Sequence, residues 1–302
     1  MTDHKPTKRR VLVEGLSTLY YEAGEGPVVL LVPGIASDPQ DWFPVMQELA
    51  LTHRAIAISL PGLGGTSPGP DVRPSTMASF LMHFLDALDV HSVIAVGHSY
   101  GGLVVAELAL RHPHAVSRLT LVNACGLGRA VHPGAVILAL LPERASDLLS
   151  AIASLPGGAT ALTFSSNLLL RQPWRIPATT WAAQFRLARS RQTLRTSMKV
   201  FRECGDITGQ RRDIIVTHRL HEIDVPALVI WGGCDQLFPV WQGRAAARRL
   251  PAGRLTVLAG AGHVSHLDSP EEFMDALGSF VRDDHERPKP TTRKNTGKGG
   301  PP

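Results

Sequence analysis

The 302-residue chain is 44% hydrophobic, 19% charged and 6% aromatic, with a mean hydropathy near zero, which excludes collagenous and wholly disordered chains. Its net charge of +5 belongs to its ends, because residues 1–10 carry +3 and residues 287–302 carry +5, leaving −3 between them. No apolar run approaches the ~18 residues of a membrane span, the basic start lacks the apolar stretch of a secretory signal, and three cysteines make no disulfide framework; a reducing cytoplasm is the expected compartment.

In chain order, residues 1–10 read as a disordered basic terminus, too poor in apolar side chains to offset ordering entropy. Val28–Val32 and Ala55–Leu60 are short apolar runs ending at Pro33-Gly34 and Pro61-Gly62, as expected of strands buried on both faces. Helical spacing covers Trp42–Leu51 and Thr76–Leu88. Val93–Val96, Gly101–Arg111 and Leu119–Val122 then repeat strand, helix, strand, the rhythm of a parallel α/β sheet. From Gly128 to Glu222 helical patterns follow one another without an evident strand, with one long helix over Ala178–Glu203. Strands resume at Ala227–Trp231 and Leu255–Leu258. A final helix opens at Ser269-Pro270-Glu271-Glu272 with the signature of a capping box.

The expected architecture is therefore an α/β core over 11–127 and 223–286, interrupted by a helical cap over 128–222 and followed by a disordered basic tail over 287–302. The insertion carries 13 basic and 6 acidic residues, so a cationic cap sits on an anionic core. A basic tail can attract nucleic acid, but a solvated terminus is the simpler reading and no nucleic-acid partner is expected.

The chemistry begins at Gly97-His98-Ser99-Tyr100-Gly101, between a strand and a helix. This G-x-S-x-G pattern fits a sharp strand-to-helix turn on which Gly97 and Gly101 avoid clashes and Ser99 projects at the carboxyl edge of the sheet. A serine hydroxyl needs a base and a carboxylate to orient that base. His263, in Ala-Gly-Ala-Gly-His263-Val-Ser-His266, follows a strand at the same edge, with His266 as its rival. Asp235 lies just past Ala227–Trp231, again at a strand's carboxyl end; Asp224 reads as preceding that strand and Asp268 as fixing the loop behind His263. After Leu119–Val122 stands Asn123, so no carboxylate occupies that alternative place.

With these motifs in the order Ser99, Asp235, His263, the chain resembles the α/β-hydrolase superfamily, and within it the hydrolases with a helical cap. The likeness runs from Tyr20 to Asp284 outside the cap. It implies that Val32-Pro33-Gly34-Ile35 is the oxyanion turn, with proline where histidine is usual, and that the backbone amides of Ile35 and Tyr100 form the oxyanion hole. It also aligns Ser59-Leu-Pro-Gly62-Leu-Gly64 with a family turn that usually starts with aspartate, which makes Ser59 a structural residue. Epoxide hydrolases and dehalogenases use aspartate at the elbow, and the cap holds no tyrosine, so Ser99 argues against both. Carbon–carbon hydrolases of this family usually carry tryptophan after the histidine, where this chain has Val264.

The expected activity is hydrolysis of a carboxylic ester or thioester of a small, largely apolar substrate through an acyl-enzyme on a Ser-His-Asp triad. The alternatives are a diketone C–C hydrolase, an acyltransferase or a cofactor-free perhydrolase, and a ligand-binding protein that has kept the fold. No cofactor and no metal are expected, and Cys125 and Cys234 read as small buried apolar residues. Cap arginines such as Arg171, Arg175, Arg186, Arg189, Arg191 and Arg195 read mainly as a solvated face; one or two facing the cleft would hold an anionic group of the substrate.

Overall fold

The computed structural model describes residues 5–142, 144–167 and 171–283; the tail expected over 287–302 lies outside them. A hairpin opens the fold: β1 (Thr7–Val13) and β2 (Leu16–Ala23) pair antiparallel from Thr7 with Glu22 to Val13 with Leu16. The two-residue turn between them, Glu14-Gly15, holds φ of 49° and 79°, which matches the twist of the strands it joins. This corrects the expectation of disorder over residues 1–10, because Thr7 to Arg10 belong to β1. Strand pairing satisfies the backbone without burying side chains, so Lys8, Arg9 and Arg10 stay exposed. Such charges suit an edge strand, since they discourage pairing with another chain.

Alternation follows as expected: β3 (Val28–Val32), α1 (Phe43–Leu49), β4 (Arg54–Ile58), α2 (Pro74–Ala87), β5 (Val93–His98), α3 (Tyr100–Arg111) and β6 (Val116–Val122). The insertion then runs through α4 (Pro133–Leu140), α5 (Ala145–Ser154), α6 (Gly158–Ser166), α7 (Ala178–Arg189), α8 (Arg191–Cys204), β7 (Gly205–Asp206) and β8 (Gly209–Gln210). The chain returns to the sheet with β9 (Ala227–Gly232), α9 (Val240–Arg249), β10 (Gly253–Leu258), α10 (Ser265–Asp268) and α11 (Pro270–Arg282). Eight strands form one sheet in the order β1-β2-β4-β3-β5-β6-β9-β10, and from β4 to β10 all neighbours are parallel.

Both sheet faces are covered, which is why the central strands are apolar throughout. One face packs on α2, α3 and α9 through Phe80, Phe84, Leu103 and Trp231, the other on α1 and α11 through Trp42, Met46, Phe273 and Leu277. The strand order reverses at β3, with β4 on one side and β5 on the other. In a sheet of this kind ligands bind outside the carboxyl ends of the strands at that reversal.

Three local expectations change. The helix expected over Ala178–Glu203 breaks at Ser190, whose extended backbone (ψ 105°) and side chain, accepting the Thr193 amide at 3.2 Å, start α8 afresh. The insertion contains a tiny hairpin, β7 with β8, too short to show as an apolar run. Ser269 does stand at the start of α11, but its side chain makes no capping bond. A reciprocal cap is made instead at the turn Pro39–Trp42, by Asp38 just before it and Asp41 within it.

Candidate active site

Ser99 joins β5 to α3 with φ 54° and ψ −119°, a conformation a side chain adopts only when its surroundings enforce it. The surroundings are specific. Its N–H donates to the Val122 carbonyl at 2.9 Å, and its carbonyl accepts from Gly102 at 3.0 Å and Cys125 at 2.9 Å. A Cβ on Gly97 would overlap the Gly101 carbonyl, and one on Gly101 would overlap the Val32 carbonyl. A Cβ on Gly34 would lie 2.9 Å from the Ser99 Cβ, so the turn Pro33-Gly34-Ile35 passes directly against the serine.

His263 is presented by the loop after β10, and its ring joins the other two predicted residues. Its Nε2 lies 3.0 Å from the Ser99 Oγ and its Nδ1 lies 3.0 Å from the Asp235 Oδ2. Ser99 and His263 are both buried, and the Asp235 side chain has no exposure at all. Burial would raise the Asp235 carboxyl. The nearby His263 and hydrogen bonds from Asn123 and the Phe238 amide outweigh it and hold the group below its ordinary value. Its other oxygen accepts the Leu237 amide at 2.8 Å and the Phe238 amide at 3.0 Å. The Phe238 ring stands edge-on to His263, 5.3 Å between centroids.

The rivals separate from the triad. His266 stacks on Trp42 at 4.1 Å with the rings 7° from parallel, fully buried, and burial together with His263 depresses its pKa to about 3. Asp224 is exposed ahead of β9. Asp268 is buried and fixes the loop as expected: it accepts the Gly262 amide at 2.8 Å and also the amides of Arg171 at 3.0 Å and Gln172 at 2.7 Å from the insertion. Ser59 also acts within its turn, accepting the amides of Gly65 and Thr66 and donating to the Leu63 carbonyl.

Sequence reasoning passed over two residues here. Asn123, taken as the place where an acid was absent, donates to the Asp235 Oδ2 at 2.7 Å and accepts from the Ser265 hydroxyl at 2.8 Å. Its φ of 44° lies in the left-handed region that asparagine tolerates at a strand end. His98, inside the elbow, donates from Nε2 to the His263 carbonyl at 3.0 Å, given the tautomer this partner requires. Burial and the two neighbouring histidines hold its pKa well down, so it stays neutral.

Neither the Ile35 nor the Tyr100 amide donates a hydrogen bond among the described residues, which leaves both free beside Ser99. The Tyr100 side chain is occupied, its buried hydroxyl donating to the Val72 carbonyl at 2.5 Å. Of the insertion arginines, Arg175 pairs with Glu271 at 3.2 Å, and Arg191 and Arg195 both reach Asp147, at 3.0 and 2.8 Å. Cys125 is buried, but Cys234 is exposed, contrary to expectation, because the turn after β9 carries it outward. Among the described residues no group of three or more His, Cys, Asp or Glu is placed to hold a metal ion, and no helix is long and apolar enough to cross a membrane.

Comparison with known proteins identifies the family. The family model described as the alpha/beta hydrolase fold matches residues 27–270. An uncharacterized protein of Mycobacterium tuberculosis is 31% identical over 291 residues, covering 91% of this chain and 81% of its own length. Among solved structures, a 2-hydroxy-6-oxo-6-phenylhexa-2,4-dienoate hydrolase from a Rhodococcus strain superposes with a TM-score of 0.76 at 18% identity, covering 92% of this chain and 99% of its own. A thermophilic esterase from Thermogutta terrifontis gives 0.74 at 20% identity, covering 93% and 100%. The chain belongs to the alpha/beta hydrolase fold family and is a hydrolase.

Proposed function

We propose that this hydrolase cleaves carboxylic esters or thioesters of small, largely apolar substrates through an acyl-enzyme on Ser99. The observation that carries the reading is the His263 ring, held 3.0 Å from both the Ser99 hydroxyl and the Asp235 carboxylate. Ser99 Oγ attacks the carbonyl carbon as His263 Nε2 takes its proton. Asp235, kept ionised, accepts the Nδ1 hydrogen, fixes the tautomer and balances the imidazolium that forms. The amides of Ile35 and Tyr100 stabilise the tetrahedral oxyanion. His263 then protonates the departing alcohol or thiol, and takes a proton from water as that water releases the acid and frees Ser99.

The insertion is read as a cap over this site, tied to the core where Asp268 holds the Arg171 and Gln172 amides. A fluorophosphonate probe tests the reading. Covalent mass addition to the natural chain that is lost in both Ser99→Ala and His263→Ala supports an activated serine. Absence of labelling in the folded natural chain defeats it. Ester, thioester and diketone panels with added alcohol, amine or peroxide then separate hydrolysis from acyl transfer, perhydrolysis and carbon–carbon cleavage.

A further inference from the structure

Helices α4, α5 and α6 are built inside out. Their buried positions are small or polar: Ala139 in α4, Ser146 and Ala153 in α5, and Ala159 and Thr163 in α6, with Asn167 just after it. None of their large apolar side chains is fully buried: Leu138, Leu149, Ile152 and Leu162 are half-buried, and others point away from the protein. Ile137, Leu140, Leu148, Leu155 and Phe164 are 55–63% exposed. An eight-residue helix as apolar as α4 normally lies in a core, yet only Ala139 of it is buried. Of ten large hydrophobic residues exposed in the described chain, seven lie within 128–222. A concentration of this kind marks an interaction surface.

Charge identifies what the surface fits. The segment 133–202 holds nine basic residues and two acidic ones. A cavity of about 740 Å³ between the α4–α5 turn and α8 is lined by Arg144, Arg195, Lys199 and Arg202, with Asp147 as the acid among its described lining residues. Arg144 lies between Leu140 and Leu148 in the chain, and α8 brings Arg195, Lys199 and Arg202 to the same cavity, so cationic and apolar side chains share one region. A second copy of the chain would bring like charges together. A surface that is apolar beneath and anionic at its boundary satisfies both sets at once.

We propose that α4 to α6, with the basic cluster beside them, form a docking face for an anionic lipid bilayer, the exposed leucines entering the acyl boundary and the arginines and lysine meeting headgroup phosphates. This inference does not depend on the triad's role. It gives the hydrolase a surface at which apolar acyl substrates are concentrated.

The test uses the full chain and vesicle flotation. Vesicles of phosphatidylcholine alone are compared with vesicles containing an equal part of phosphatidylglycerol, at low and high salt, for the natural chain, Leu140→Ser/Leu148→Ser, and Arg144→Glu/Lys199→Glu/Arg202→Glu. The natural chain is expected to bind the mixed vesicles, to lose binding as salt rises, and to lose it by about tenfold or more in each variant, with hydrolysis of a soluble ester unchanged. No partition of the natural chain overturns the proposal, as does equal binding to both vesicles. Binding that survives in both variants places it elsewhere on the chain and overturns the proposal as well. So does a concentration-dependent dimer, seen by light scattering without vesicle binding, that the leucine variant abolishes.

Discussion

The sheet core and helices α4 to α6 of the insertion differ in where a large side chain goes. In the core, Trp42, Phe84, Phe273 and Trp231 are wholly buried, and the exposed positions are mostly polar. In α4 to α6 the fully buried side chains are alanine, serine and threonine, while Ile137, Leu140, Leu148 and Phe164 are exposed. Dispersion and hydrophobic burial therefore supply the core with stability of its own, whereas the insertion leaves much of that driving force unused. A geometry as strained as Ser99 is affordable only on the first kind of scaffold. The second kind is suited to meeting something apolar outside the protein.

The largest expected effect falls on the chemistry that the core supports. Ser99→Ala and His263→Ala should each lower kcat for an activated ester by at least about 10⁴-fold while leaving the urea midpoint close to that of the natural chain. Retained turnover in either would remove the triad as the source of the core's function. Next comes the scaffold. Gly101→Val places a side chain against the Val32 and Pro33 carbonyls and should cost about 3 kcal/mol or more, read from urea unfolding.

Acid should expose the same dependence on close packing. Folded His266 binds its proton only near pH 3, whereas the unfolded side chain does so from 6.5, so between these values the unfolded state holds more protons. Stability then falls as pH is lowered through that window, by about 1.4 kcal/mol per pH unit for this group, and buried His98 acts in the same direction. His266→Leu should shrink the difference in urea midpoint between pH 7 and pH 5; an unchanged difference would show that burial of this histidine does not set the acid response.

Smaller effects sharpen the comparison from each side. Asn123→Ala removes a donor from the Asp235 oxygen that holds His263, and should reduce kcat by about tenfold to a hundredfold with KM little changed. A change confined to KM would make Asn123 a substrate contact instead. In the insertion, Leu148→Ser should move stability by no more than about 0.5 kcal/mol, because nothing in the fold depends on that exposed side chain. A loss of several times that amount would mean that α5 is packed as the core is.

Much of this division was legible in the amino-acid pattern, for physical reasons that also mark where reading stopped. Buried parallel strands such as Val28–Val32 are continuous apolar runs, and the Gly97 to Gly101 elbow needs its glycines, so both announce themselves. The β1–β2 hairpin did not, because an edge strand is stabilised by backbone pairing that Lys8, Arg9 and Arg10 neither help nor prevent. Ser190 hid the break between α7 and α8, since a lone serine in a helical pattern reads equally as surface or as cap. Choosing His263 over His266 rested on loop position, whereas the structure decides it by contact. Asn123 was invisible as a partner of Asp235, because their 112-residue separation closes only when β6 and β9 pair.

One buried carboxylate ties the two regions together. Asp268 accepts amides from the loop carrying His263 and from residues 171 and 172 of the insertion, so it acts as a rivet common to that loop and the insertion. Removing it would strand three backbone donors at once and slacken both partners together.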